Sequence, residues 1–260
     1  FMALTSPLLG DRRIRRGDEI ITVAAGFPTT ITPAIQYGAV PVFVDVTIPQ
    51  YNIDVTKLED ALSDKTKAVM IAHTLGNPFD LSAVKAFCDK QYGELPLGYD
   101  HKYVYSHFGY NLKATDMQAA VGCAQLEKFP SFVERRRHNF DRLRAALADI
   151  EDKVILPVPC ENSRPSWFGF LITVKEGIDR KAVVEYVESH GVQTRNLFAG
   201  NLIKHPCFDE MRATGEGYRV VGGLDTTDRI MRDTFWVGVY PGMTDEMIDY
   251  MAKTIKEAVR

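Results

Sequence analysis

Pro41-Val42-Phe43-Val44-Asp45-Val46 carries only one polar side chain. A strand that is apolar at every position, not at alternate ones, is buried on both faces, as in a parallel sheet covered by helices. Just upstream, Gly38 ends a helix over residues 31–37 that Thr29 or Thr30 caps and Pro33 opens. Before that helix, Gly17-Asp18-Glu19 leads into Ile20-Ile21-Thr22-Val23, a β-branched run behind a turn signal. Gly26-Phe27-Pro28-Thr29-Thr30 is the loop between them. After the central run come a short amphipathic helix over residues 57–62 and a third buried strand, Ala68-Val69-Met70-Ile71-Ala72, which ends at His73. Asp80 then caps a helix over residues 81–90. Strand and helix in strict alternation predict an α/β doubly wound sheet.

The alternation breaks between Lys90 and Gln91. Another buried strand is due there, but Gln91-Tyr92-Gly93-Glu94-Leu95-Pro96-Leu97-Gly98-Tyr99-Asp100 is polar and turn-rich. The helix over residues 81–90 therefore leads nowhere, although right-handed crossovers return the chain to the sheet. A long functional loop is one reading; an internal segment missing at 90/91 is the reading carried forward. From Thr115 the pattern turns helical, with small residues along one side, a face that lets helices approach closely. Pro130 opens a long charged helix to about residue 147. Trp167-Phe168-Gly169-Phe170-Leu171-Ile172-Thr173-Val174 is a strong strand, and a helix over residues 181–190 ends at Gly191. Val192-Gln193-Thr194-Arg195 reads as an edge strand and Phe235-Trp236-Val237-Gly238-Val239 as another. Thr244 caps a closing helix. These make a smaller α+β domain over residues 131–260, after a large domain over residues 1–130.

Composition narrows the class. The chain has 260 residues, 45% apolar and 25% charged, ordinary for a globular protein with a sizeable core. A net charge of −3 gives no reason to expect nucleic acid or an anionic membrane as partner. The Arg12, Arg13, Arg15, Arg16 cluster has no interleaved aromatics and reads as a solvated face. Cys88, Cys123, Cys160 and Cys207 show no C-x-x-C spacing, so no metal site is legible and a reducing, cytoplasmic setting is expected. No apolar run reaches ~18 residues, so no transmembrane helix is indicated. No signal peptide is visible, and Phe1 is not an initiator methionine. There is no GxGxxG, P-loop, HExxH or GxSxG.

The remaining signal lies in ordered strings. Gly17–Thr22 (GDEIIT), Gly38–Val46 (GAVPVFVDV), Tyr51-Asn52-Ile53-Asp54, Lys65-Thr66-Lys67-Ala68-Val69, the GYNLKATDMQAA run at 109–120 and Tyr240-Pro241-Gly242-Met243-Thr244 resemble, in order, the DegT/DnrJ/EryC1 sugar aminotransferase superfamily of vitamin B6 enzymes. Ala24-Ala25-Gly26-Phe27-Pro28-Thr29-Thr30, the AHTLGNPFD run at 72–80, Gly98-Tyr99-Asp100-His101-Lys102-Tyr103 and Leu197-Phe198-Ala199-Gly200-Asn201-Leu202 are similar to one branch, the CDP-4-keto-6-deoxyglucose 3-dehydratases. That resemblance implies an aspartate-aminotransferase-type (fold type I) large domain with a mainly parallel sheet. It implies a homodimer with shared active sites, and pyridoxamine 5′-phosphate (or pyridoxal 5′-phosphate) held without a covalent lysine link. It further implies a [2Fe–2S] cluster, a flavin/iron–sulfur NADH-dependent reductase partner, and a CDP-sugar substrate on the route to 3,6-dideoxyhexoses of the O-antigen.

The resemblance also places, between residues 90 and 91, the cofactor-anchoring Asp, the catalytic His that stands where relatives carry Lys, and the cluster cysteines. None has a match in this sequence, so the catalytic residue is unassigned; a Gly-Ser phosphate loop expected before Leu4 is unmatched too. By the same resemblance Phe27 stacks on the cofactor ring, and Asn111 and Lys113 reach its phosphate across the dimer; His73 ends a parallel strand, where open α/β sheets bind ligands. Arg195, Phe198 and Asn201 face the substrate. Each also has a plainer reading: core packing for Phe27 and His73, solvation for Lys113, a surface ion pair for Arg195. Trp167 and Trp236 read as core of the smaller domain, and the aromatic run at 99–110 as cleft lining or loop packing. Two other readings stay open: a pyridoxal-phosphate-dependent nucleotide-sugar aminotransferase, and a non-catalytic paralogue or scaffold.

Overall fold

The computed structural model describes residues 1–89 and 116–260. Asn111, Lys113 and the aromatic run at 99–110 lie outside the described residues. The described residues build two four-stranded sheets. The first contains β1 (Glu19–Val23), β2 (Val40–Val44), β3 (Thr66–Val69) and β7 (Arg219–Val220), in the order β3-β1-β2-β7 and parallel throughout. Its residues alternate between two apolar layers. Ile20 and Phe43 pack beneath α1 (Thr32–Tyr37), while Ile21, Val42 and Val44 pack against α2 (Leu58–Ala61) and α3 (Leu81–Asp89). All five side chains are fully buried, which explains the unbroken apolar reading of these strands. β3 is shorter than its sequence suggests, but Met70 still donates to Ile21 O (2.8 Å) and accepts from Thr22 Oγ1 (2.8 Å).

β7 comes from the far end of the chain and was not legible in the sequence. It pairs with β2 through Val42↔Arg219 and Phe43↔Val220. From there Arg219 reaches across to the start of β1, where it donates to Glu19 Oε1 (3.1 Å) and Oε2 (2.7 Å). Ser63 Oγ adds a 2.6 Å bond to the same carboxylate. Burial pushes the Glu19 carboxyl up, but the bonds from Arg219 and Ser63 and the Arg219 charge outweigh it and hold it below the usual carboxylate range.

The second sheet is antiparallel, in the order β4 (Val154–Ile155), β5 (Gly169–Val174), β8 (Thr234–Gly238), β6 (Thr194–Arg195). One face, carrying Phe170, Ile172, Phe235 and Val237, packs beneath α4 (Asp116–Leu147), α5 (Arg180–Ser189) and α8 (Asp245–Ala258). Trp167 belongs to this core, its ring stacked on Phe140 at 4.3 Å. Leu171 and Trp236 point the other way, into a cluster with Ala25, Val46, Tyr51 and Leu75 from the first half of the chain. Two short helices complete the second half, α6 (Asp209–Thr214) and α7 (Asp225–Asp233). Asp45, at the end of β2, caps α7: its carboxylate accepts from Thr226 N (3.0 Å), Thr227 N (2.9 Å) and Thr227 Oγ1 (2.6 Å). A carboxylate there satisfies orphan N–H groups and suits the positive end of the helix dipole.

Pro130 does not open a new helix; α4 runs through it. A proline forfeits one ladder bond and crowds the preceding turn. Residues 116–132 are exposed, so the carbonyl left without its partner can turn to water. The small-residue face at the start of α4 is likewise exposed and meets no helix among the described residues. The boundary expected at 130/131 falls inside this helix.

The loop after β3 is the tightest piece of backbone near the strand ends. Leu75 (φ 48°) and Gly76 (φ 89°) both occupy the left-handed region. Phe168 N donates to Leu75 O (2.8 Å), and a Cβ on Gly76 would stand 2.6 Å from Ser166 O. Two buried amides brace the turn. Asn52 accepts from Thr74 N (3.2 Å) and donates to Asn77 O (3.0 Å); Asn77 donates to Gln50 O (2.9 Å) and accepts from Cys160 N (3.1 Å).

Two outcomes follow from this packing. Arg219→Met should cost about 3 kcal/mol in urea unfolding, because it strands a carboxylate in the sheet. Glu19 has a depressed folded-state pKa, so its contribution is present above the unfolded value and is lost as pH falls through the folded one. The variant should therefore show a shallower loss of stability in acid than the parent; an unchanged acid slope would contradict the pairing. Gly76→Ala should cost on the order of 2 kcal/mol, from positive φ plus the Ser166 clash, read as a lowered thermal midpoint.

Candidate active site

The winding of the first sheet reverses at β1. The chain leaves β1 through α1 on one face and pairs on one side as β2. It then returns through α2 on the opposite face to pair on the other side as β3. The loops leaving the carboxyl ends of β1 and β3 therefore diverge, and a crevice opens between them, the place where open α/β sheets take ligands. Gly26, Phe27 and Thr30 line it from the β1 side, Ile71, Ala72 and Thr74 from the β3 side, and Phe198 and Leu202 close it from the second half of the chain. Its free volume is about 50 Å³, well under the ~300–1,000 Å³ of a complete ligand pocket. The described residues thus form one wall of a site.

Phe27 stands in that wall 55% exposed, unusual for an aromatic ring beside a buried sheet. Its neighbour is Phe198, edge-to-face at 5.8 Å and 89°. Phe198 has φ 47°, a conformation that bulky L-residues rarely adopt. The surrounding loop holds it there. Leu202 N donates to Ala24 O (3.2 Å) and Ala199 N to Gly26 O (3.4 Å), and the His205 ring bonds Ala199 O at 2.7 Å. Asn201 sits beneath, 3% exposed; its amide donates to Asp228 Oδ1 (2.7 Å) and its oxygen accepts from Ile203 N (3.2 Å). Both ends of that amide are engaged within the fold. Burial raises the Asp228 carboxyl, but Lys204 and Asn201 pull it below its ordinary value.

His73 is exposed at the end of the β3 side. Its Nδ1 accepts from Phe79 N (3.2 Å) and its ring lies on Phe79 at 4.3 Å. In the neutral ring that bond places the proton on Nε2, leaving an N–H donor outermost. Arg195 lies elsewhere, on β6, in a groove of about 670 Å³ that it shares with Phe168, Trp236, Tyr240 and Tyr250. Among the described residues it has no ion-pair partner. Phe168 and Trp236 meet at 5.4 Å, and Phe168 is bonded through its N–H to the turn after His73, so the groove adjoins the crevice. Of the residues singled out in the sequence, the structure thus brings Phe27 and Phe198 into contact, sets His73 against Phe79 outside the crevice lining, and separates Asn201 and Arg195 from them. Asn52 and Asn77, which shape the β3 turn, were quoted in the sequence only as landmarks.

The exposed ring of Phe27 is an aromatic surface, with two small residues, Gly26 and Ala72, in the same lining. The crevice lining holds no cation to receive a phosphate and no carboxylate to face a ring nitrogen. By the resemblance those groups are Asn111, Lys113 and residues of the missing stretch. Among the described residues no three His, Cys, Asp or Glu side chains could hold a metal ion together, and the four cysteines form no disulfide.

The model of the DegT/DnrJ/EryC1/StrS aminotransferase family matches residues 2–100 and 91–256. The lipopolysaccharide biosynthesis protein RfbH of Salmonella typhimurium is 42% identical over 341 residues, covering 98% of this chain and 77% of that protein. The dTDP-4-dehydro-2,6-dideoxy-D-glucose 3-dehydratase of Saccharopolyspora spinosa is 38% identical, covering 99% and 73%. Among solved structures, the GDP-4-keto-6-deoxy-D-mannose-3-dehydratase of E. coli with bound hydrated PLP superposes with a TM-score of 0.76 at 22% identity, covering 95% and 81%. That likeness shows the fold. The two matched blocks meet at residues 91–100, where the strand–helix order breaks. An alignment of 341 residues against a chain of 260 also leaves a stretch of the Salmonella relative with nothing opposite it. With a fold of the aspartate-aminotransferase type and an internal stretch missing at that seam, the chain belongs to the DegT/DnrJ/EryC1/StrS aminotransferase family.

Proposed function

We propose that the protein is a nucleotide-sugar 3-dehydratase that works with pyridoxamine 5′-phosphate. Its substrate on this reading is CDP-4-keto-6-deoxy-D-glucose, which loses its C3 hydroxyl on the way to 3,6-dideoxyhexoses. The observation that carries it is Phe27, exposed at the reversal point of the sheet and braced from the side by Phe198. Identities of 42% to a lipopolysaccharide biosynthesis protein and 38% to a sugar 3-dehydratase support the reaction class. When bound, the cofactor supplies an electron sink for breaking a C–O bond. The chain's own residues position it. Phe27 offers a π face to the ring, and His73, on the turn after β3, is an exposed N–H donor. Asn111 and Lys113 are assigned to the phosphate. In the adjoining groove, Arg195 is a fork suited to the substrate diphosphate, with aromatic faces beside it for the nucleoside. The catalytic base is assigned to the stretch missing at 90/91. The [2Fe–2S] cluster, the reductase, the homodimer and the cytoplasmic setting belong to this reading through the resemblance.

A pyridoxal-phosphate sugar aminotransferase is the second reading, favoured by the family's own description. Incubating the purified protein with pyridoxamine phosphate, CDP-4-keto-6-deoxyglucose, NADH and a flavin/iron–sulfur reductase separates the two. The product should lack the C3 oxygen. Transfer of an amino group from glutamate to the keto sugar would assign the aminotransferase, and absence of both turnover and cofactor binding would assign a scaffold. Phe27→Ala should weaken pyridoxamine phosphate binding by about 1 kcal/mol, about fivefold in Kd, in an absorbance titration; unchanged affinity would remove Phe27 from the site.

A further inference from the structure

We propose that Arg136 is a second guanidinium of the nucleotide site, taking with Arg195 the diphosphate of a nucleoside diphosphate whose base lies against Phe168 and Trp236. The inference rests on the nucleotide-sugar reading above and deepens it; it involves no cofactor. It starts from two unpaired charges. Arg195 is exposed on β6, and Arg136 is half-buried on α4. Among the described residues neither guanidinium has a hydrogen-bond or ion-pair partner. Their neighbours on α4 do: Arg135 pairs with Asp245, Arg137 with Glu134 and Arg142 with Asp249. Arg136 meets an aromatic face instead, its Cζ 5.9 Å from the ring centroid of Phe168.

The aromatic pair links the two charges. Phe168 is 53% exposed and meets Trp236 at 5.4 Å. Trp236 is the cross-strand partner of Arg195, and directly opposed residues of an antiparallel pair project from the same face of the sheet. Guanidinium, two rings and guanidinium thus follow one another along one surface. The rings are held from behind. Arg137 donates to Arg164 O (2.9 Å) and Pro165 O (3.2 Å), which ties the approach to Phe168 to α4. Trp236 lies on the backbone of Gly169, where a Cβ would stand 2.4 Å from its Cε3, and its N–H donates to Asn196 O (3.1 Å). The groove they border has a free volume of about 670 Å³, within the ~300–1,000 Å³ of a ligand pocket. The carboxylate in its lining, Glu246, is engaged at the start of α8: its own N–H and the Thr244 hydroxyl donate to it and hold its carboxyl below the ordinary range. A ligand that joins a flat ring to a polyanion engages the whole set. Bases stack on aromatic faces, and guanidinium forks grip phosphate oxygens bidentately. An acidic peptide would leave the exposed ring faces without a partner, and an apolar segment would bury two uncompensated charges.

The test is calorimetric titration of the whole protein with CDP, without cofactor. Arg136→Met and Arg195→Met should each weaken CDP binding about tenfold and leave cytidine binding unchanged. Phe168→Leu should weaken CDP and cytidine alike, about fivefold. Neither arginine leaves a partner stranded, so both variants should keep the parent's thermal midpoint. Trp167 is buried in the core, so quenching of the indole fluorescence by CDP reports on Trp236. Full CDP affinity in Arg136→Met would overturn the proposal, as would inorganic pyrophosphate binding as tightly as CDP. Failure of the site and failure of the CDP reading are separable. If the parent binds GDP or dTDP in place of CDP and the arginine variants weaken it, the site stands and the CDP reading fails. If CDP binds and the variants leave it intact, the reading stands and the site is overturned. A parent that binds none of the three nucleotides overturns the proposal.

Discussion

The direction in which the first sheet winds is the constraint on which everything else rests. Crossovers between parallel strands are right-handed, so a chain that adds β2 on one side of β1 and β3 on the other must place α1 and α2 on opposite faces. The loops at the carboxyl ends of β1 and β3 then part, and no side chain has to be removed to make room. Phe27 is exposed because of that geometry. The continuous apolar strands that make the sheet a buried core also leave its crevice as the natural place for a polar ligand with a flat ring.

The second half of the chain serves this crevice as well as its own core. Strand ends leave carbonyls that need partners when buried. Ala24 and Gly26 find theirs in Leu202 and Ala199. Asp45 at the end of β2 satisfies the first turn of α7, and Arg219 on β7 neutralises Glu19 at the start of β1. Three adjacent positions of the sheet are therefore tied to residues about 170 to 200 places later. Of the four described non-glycine residues at positive φ, Phe198 lies in the loop that ties the end of β1, and Leu75 in the turn after β3.

The parts of the fold legible in the sequence are those with a period or an unbroken apolar run. β1, β2, β5 and β8 are all of that kind, and α8 announces itself through Thr244, which caps it at Met247 N. β7 escapes because two residues carry no pattern, and its strand character comes only from pairing with β2. Pro130 misleads because a proline suits the first turn of a helix, whereas α4 already begins at Asp116 and carries it in its interior. At the site, resemblance singled out Phe27 and Phe198 but not their mutual contact. The struts Asn52, Asn77 and Asn201 are amides whose roles depend on partners distant in sequence or on local caps, which no spacing rule captures. The seam at 90/91 was first a fault in strand–helix order. The two-block family match turned it into a stretch that relatives possess.

The assignment of the crevice is tested most directly by locating the cofactor. A crystal structure of the protein grown with pyridoxamine 5′-phosphate should show the pyridine ring lying on Phe27 between the carboxyl ends of β1 and β3. A ring bound instead in the groove of Arg195 and Trp236, or at the ends of β2 and β7, would contradict it.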